Sequence, residues 1–123
     1  MRKLEIGTEK YTQVFAADEK EFNANHEYWV EVSHPKIEDS HPSIPQLTVV
    51  KFQKGPIKEN GVNGCANEDL LVMVIDRLQS FQESEYKCRE NAIAITKLEE
   101  ALLWLRKRTM DRERRKVEGT HAV

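Results

Sequence analysis

Cysteine is nearly absent from this chain: Cys65 and Cys88 are the two among 123 residues. Two are too few for a disulfide framework, and they stand too far apart for a zinc site, so both read as free thiols. No apolar run approaches the roughly 20 residues that a membrane-spanning helix needs. No apolar h-region follows the short Met1-Arg2-Lys3 start, and the expectation is a cytosolic protein that is not exported. Catalytic machinery is missing as well. There is no nucleophile with an evident base, and His26, His34 and His41 lie in strand or loop without ligand spacing. The expectation is therefore no catalytic residue, no metal and no cofactor.

What is present is charge. Residues of type Asp, Glu, Lys and Arg make up 33% of the chain, and the formal net charge is −2. That small value hides an asymmetry: residues 1–69 carry net −4, while residues 70–123 carry net +2, so the second half is the one that would meet an anion. The length is that of a single domain, with a strand-rich part over 1–54, a connector over 55–66 and a helical part over 67–121.

Three segments have the alternation of strands. Thr12-Gln13-Val14-Phe15-Ala16 is one, and His26-Glu27-Tyr28-Trp29-Val30-Glu31-Val32 puts Tyr28, Val30 and Val32 on one face and Glu27 and Glu31 on the other. Leu47-Thr48-Val49-Val50-Lys51-Phe52 is apolar on both faces. Together they predict a small antiparallel sheet. Between the second and third, Ser33-His34-Pro35 and Ser40-His41-Pro42 recur seven residues apart in a solvated loop, where each proline biases its histidine away from helix.

The stretch Gly55-Pro56-Ile57-Lys58-Glu59-Asn60-Gly61-Val62-Asn63-Gly64 reads as a turn-rich connector with three glycines able to take positive φ. It lacks the Gly-Lys-Ser/Thr ending of a nucleoside-triphosphate loop, and a tight packed linker is the better reading.

From Asn67 the period becomes helical. Asn67 is placed as an N-cap, Glu68 and Asp69 suit the first turn, and Leu71, Val74, Ile75 and Leu78 recur down to about Phe81. A polar stretch, Gln82 to Lys87, reverses the chain. A longer helix follows with Ile95, Leu98, Leu102 and Leu105 as its buried stripe, flanked by Ala94, Ala101 and Trp104. Its basic extension, from Arg106 to Lys116, is expected to end at a Gly119 cap that presents Thr120 and His121. The fold class is thus α+β: a small N-terminal antiparallel sheet, then a long antiparallel helical hairpin through which the protein oligomerises.

An aromatic face and a carboxamide can hold a nucleobase, and a guanidinium cluster can hold its phosphates. Phe81, Asn91 and the arginines near the chain end therefore point to a nucleotide. Asn91 and Arg108 are 17 positions apart on one helix, about 25 Å at 1.5 Å per residue, which no small nucleotide spans. If they serve one ligand, the base-holding end of one hairpin must meet the basic end of another. Pairing about a two-fold axis does this and makes two equal pockets.

The run from Phe52-Gln53-Lys54-Gly55-Pro56-Ile57 through Gly61-Val62-Asn63-Gly64, with Asn67-Glu68-Asp69-Leu70-Leu71, Asp76-Arg77-Leu78-Gln79, Cys88-Arg89-Glu90-Asn91-Ala92, Leu98-Glu99-Glu100-Ala101-Leu102, Trp104-Leu105, Arg108-Thr109 and Val117-Glu118-Gly119-Thr120-His121, resembles the phage anti-Thoeris sponges. This Tad family shares its helical hairpin with the phage anti-CBASS sponges. The resemblance covers about residues 47–121. It implies a non-enzymatic protein that sequesters, without degrading, a cyclic ADP-ribose isomer (gcADPR) made from NAD by a TIR-domain enzyme, in the cytoplasm of the infected host. It also implies a hexamer built from dimers with pockets between subunits, and in some members separate sites for cyclic di- or trinucleotides. By the same resemblance Phe81 matches the adenine-stacking aromatic and Asn91 its companion. Arg108 matches a pyrophosphate ligand from the partner chain, and Arg89 matches the arginine of the cyclic-oligonucleotide site. Gln82 beside the adenine, and Arg112, Thr120 and His121 beside the phosphates and ribose, are added on chemistry and proximity alone.

Each of these residues has a plainer reading. Phe81 continues the spacing of Val74 and Leu78 and could be hairpin core, Asn91 could be a local cap, Arg89 could pair with Glu85 or Glu90, and the arginine block could be a solvated helix end. At the level of the whole chain, the alternatives are a small nucleic-acid-binding module and a bare oligomerisation hairpin. Asp111 and Glu113 within the basic run, and a pI near 6.1, count against the first.

Overall fold

The computed structural model describes residues 1–7, 9–34, 46–116 and 120. Among them are four strands, β1 (Arg2–Lys3), β2 (Thr12–Ala16), β3 (Glu27–Val32) and β4 (Gln46–Lys51), and three helices, α1 (Ile57–Asn60), α2 (Asn67–Gln82) and α3 (Arg89–Arg114). The strands form one antiparallel sheet in the order β1-β2-β3-β4, so the protein is α+β as its sequence predicts. The short β1, which alternation over so few residues cannot reveal, is an addition. The chain divides into two compact units, residues 1–55 with 62–65, and residues 56–61 with 66 onward.

In the first unit the register sets the faces. Phe15, Trp29 and Val49 stand in one row and Ala16, Tyr28 and Val50 in the next, which points to the opposite face. Ala16 is completely buried, and the Tyr28 and Phe52 rings meet edge to face at 5.7 Å. The face that holds Glu27 and Glu31 also carries Trp29, whose indole N–H donates to Glu27 at 2.8 Å, and Glu27 and Glu31 are half-buried. The pairing shifts between Val30 and Glu31, a bulge that leaves Leu47 without a partner. Of the Ser-His-Pro repeat, Ser33 and His34 are described and the remainder lies outside the described residues.

A polar clasp holds the turn before β3. Asn25 is buried, and its amide donates to the Asp18 carbonyl at 2.7 Å while its carbonyl accepts from Arg2 at 2.7 Å. The Asp18 carboxylate accepts from the backbone N–H groups of His26 and Glu27 and from the Asn25 amide. Burial pushes the Asp18 carboxyl up, but these hydrogen bonds outweigh it and hold it below the ordinary aspartate value.

The connector is a packed linker. Asn63 grips Lys54 at both backbone groups, accepting from its N–H at 2.7 Å and donating to its carbonyl at 2.8 Å, and Gln53 accepts from the Asn63 N–H at 3.0 Å. Two of its three glycines have positive φ, Gly55 at 81° and Gly61 at 70°. Gly64 is a glycine for another reason: a Cβ there would lie 2.4 Å from the Phe52 backbone, which passes it in the bridge from Phe52 to Cys65.

In the second unit α2 and α3 are joined by the short segment 83–88 and pack on each other as an antiparallel hairpin. Ile75 and Leu102 are its buried apolar residues, with Leu71, Leu78, Ala94, Ile95, Leu98, Ala101 and Leu105 half-buried around them. Three expectations need correction. Asn67 is the first helical residue and not the cap; the Asp69 carboxylate satisfies the Ala66 N–H at 2.8 Å, reaching back one turn. Trp104 does not flank the core, being 63% exposed with Lys107 over its ring. And α3 ends at Arg114, short of the expected Gly119 cap, with Lys116 in the left-handed conformation (φ 58°) just beyond; Gly119 itself lies outside the described residues.

Candidate functional site

The reversal between the helices is built by two side chains. Gln82 spans the turn, its carbonyl accepting from the Cys88 N–H at 3.0 Å and its amide donating to the Cys88 carbonyl at 3.1 Å. Ser84 donates to the Phe81 carbonyl at 2.6 Å and accepts from the Tyr86 N–H at 3.1 Å. With these bonds in place, the end of α2 and the turn enclose an open cleft of about 470 Å³ lined by Asp76, Arg77, Ser80, Phe81, Ser84 and Tyr86.

Phe81 is the aromatic floor of this cleft and is 37% exposed, so it is not plain hairpin core. Arg77 lies one turn earlier on the same helix, with its guanidinium carbon 5.2 Å from the Phe81 ring centroid. The sequence reading singles out neither Arg77 nor Tyr86. The spacing of four between Arg77 and Phe81 is a legible signal for the first, whereas Tyr86 sits in a stretch whose polarity conceals it. Gln82 does not line the cleft, because both ends of its carboxamide are engaged by Cys88.

Asn91, the third residue of α3, lies in its first turn and is half-buried on the stripe that continues through Ile95, Leu98 and Leu102. Arg89 and Arg108 are exposed, and neither forms a salt bridge with a described residue, Glu85 and Glu90 included. At about 100° per residue, Arg108 lies about 100° around the helix from Asn91, and Arg89 about 160°. The three face different directions. Because α3 runs unbroken over 26 residues, about 39 Å, Arg108 stands about 25 Å along the axis from Asn91. Arg112 and Thr120 do come together, the Arg112 guanidinium donating to the Thr120 carbonyl at 3.1 Å. His121 lies outside the described residues.

The described residues include no group of three or more His, Cys, Asp or Glu able to hold a metal ion, and no helix long and apolar enough to cross a membrane. Cys65 is half-buried and Cys88 exposed, and both are free thiols. What the hairpin offers a ligand is an aromatic platform with a cation over it at one end and exposed guanidinium groups at the other.

Comparison with known proteins adds to this geometry. The family model described as the Acb2/Tad1 hairpin domain matches residues 46–110, which spans β4, the connector and nearly all of both long helices. A protein of Bacillus phage SBSphiJ7, "Thoeris anti-defense 1", is 48% identical in an alignment that covers 98% of this chain and 99% of the relative. With more than half of the chain inside the family's hairpin domain and nearly all of it aligned to that relative, this protein belongs to the Acb2/Tad1 family.

Proposed function

We propose that the protein is a phage anti-defence sponge. It binds a cyclic ADP-ribose isomer (gcADPR) made by a TIR-domain enzyme and holds it unchanged in the host cytoplasm, so that the Thoeris effector is never activated. The observation that carries this reading is the identity of 48%, across almost the whole length of both chains, with a protein named for Thoeris anti-defence. The chemistry of the hairpin supports it. Phe81 supplies a stacking surface for adenine and Asn91 a carboxamide for its edge, while Arg108, with Arg112, Thr120 and His121, supplies donors for the pyrophosphate and ribose.

The unbroken α3 supports an intersubunit pocket. A rod that keeps Asn91 and Arg108 about 25 Å apart cannot bring both to one small nucleotide, so the arginines come from a second copy. In this reading the assembly is a hexamer built from such dimers, and Arg89, which faces away from Asn91, serves a separate site for cyclic di- or trinucleotides. Stacking of one base is worth about 1–3 kcal/mol. Charge-assisted hydrogen bonds add about 1.5–3 kcal/mol each. A preformed pocket with these groups reaches nanomolar affinity, about −12 kcal/mol.

The test is calorimetric titration with gcADPR, followed by denaturation and chemical analysis of the released ligand. The expected result is tight binding, recovery of unaltered ligand, and losses of roughly 10- to 100-fold for Phe81→Ala and for Arg108→Ala. Absence of binding, or recovery of a hydrolysed product, overturns the proposal.

A further inference from the structure

We propose that Arg77 is the second wall of the base subsite, its guanidinium stacking on the side of the nucleobase opposite Phe81. The inference rests on the reading of Phe81 as the base platform and adds to it a residue that closes the site.

The geometry of the cleft carries it. Arg77 and Phe81 lie one turn apart on α2, and the guanidinium carbon stands over the ring at 5.2 Å from its centroid. Two planar groups in contact are about 3.5 Å apart, so a base held between ring and guanidinium needs a gap of about 7 Å. The guanidinium has to withdraw by only about 2 Å, a distance that a long, flexible side chain covers by changing rotamer. Little restrains it: Arg77 is exposed and forms no salt bridge with a described residue. The contact it surrenders is one exposed cation–π contact, and the incoming base replaces that with a stack on each of its faces.

The two serines of the lining are engaged elsewhere. The Ser80 hydroxyl donates to the Asp76 carbonyl at 3.2 Å, and the Ser84 hydroxyl is bonded at both its donor and acceptor sides. Tyr86 is the other aromatic ring of the lining and is 69% exposed. Arg77 is the lining residue found over the Phe81 ring, and a guanidinium is flat, delocalised and weakly hydrated, which suits it to stack on a base as an ammonium does not.

The experiment is titration of the full-length protein and its Arg77→Ala, Arg77→Lys and Phe81→Ala variants with gcADPR at low and at high salt, with thermal unfolding as a check on the fold. Arg77→Ala is expected to weaken binding roughly tenfold, Arg77→Lys nearly as much, and the deficit is expected to be equal at both salt concentrations, because stacking is not screened as a phosphate contact is. Wild-type affinity in Arg77→Ala, full rescue by lysine, or a deficit that disappears at high salt each overturns the inference. If Phe81→Ala binds as the wild type does, the platform reading itself fails. If Phe81→Ala loses binding and Arg77→Ala does not, only the role of Arg77 falls.

Discussion

Phe81 and Gln82 are adjacent in sequence and opposite in commitment. The phenyl ring opens onto the cleft, while the carboxamide beside it is bonded at both ends to the Cys88 backbone and holds the chain reversal that shapes the cleft. Side-chain chemistry alone makes Gln82 as good a reader of adenine as Asn91; its partners give it the work of the turn. In the sheet unit Asp18 is committed in the same manner, accepting from His26, Glu27 and Asn25. Since its folded pKa lies below the ordinary aspartate value of 3.8, its ionised form adds stability that is present above that value and is lost as pH falls through the folded pKa. The unfolding temperature of the wild type is therefore expected to drop in acid below about pH 3.8, whereas that of Asp18→Asn is lower at neutral pH and flatter across the acid range. Identical acid profiles for the two proteins would remove Asp18 from the account.

Among the elements, α3 and the connector decide most. The rise of a helix is a constant of the backbone, so once Arg89–Arg114 is a single helix the separation of its two ends follows, and the proposal that Asn91 and Arg108 serve one ligand then requires a second copy. The second half of the connector is anchored to the sheet unit. Asn63 mimics a strand partner to Lys54, and Gly64 lets the Phe52 backbone pass at a distance no side chain permits. Gly64→Ala is expected to cost about 3 kcal/mol, read as a lowered unfolding midpoint in denaturant, because the Cβ meets backbone atoms that cannot rotate aside. A variant as stable as the wild type would mean that the bridge between Phe52 and Cys65 is dispensable.

For the molecule as a whole, the hairpin leaves several large apolar side chains exposed. Met73, Leu103 and Trp104 are each more than 60% exposed, and Val72, Val74 and Met110 join them. We expect this surface to be covered by another copy. The double variant Leu103→Glu/Trp104→Glu is expected to sediment as a monomer, while the wild type sediments at a multiple of the protomer mass, and the variant is expected to lose gcADPR binding together with assembly. A wild-type protein that sediments as a monomer yet still binds the ligand would contradict the intersubunit pocket.

Periodicity along the chain was enough for the strands at Thr12–Ala16, Glu27–Val32 and Gln46–Lys51 and for both long helices, because burial on one face imposes a period of two or of 3.6 on the residues themselves. Motif resemblance was enough for the family, and the same resemblance nominates Phe81, Asn91 and Arg108 for the proposed site. Packing and hydrogen bonding decided the rest, since neither is written into any one segment. They put Trp104 on the surface, let Asp69 cap α2 in place of Asn67, tied Gln82 to Cys88 and laid Arg77 over Phe81. A residue's type sets which bonds it can form, and only the neighbours that the fold brings to it determine which of them it makes.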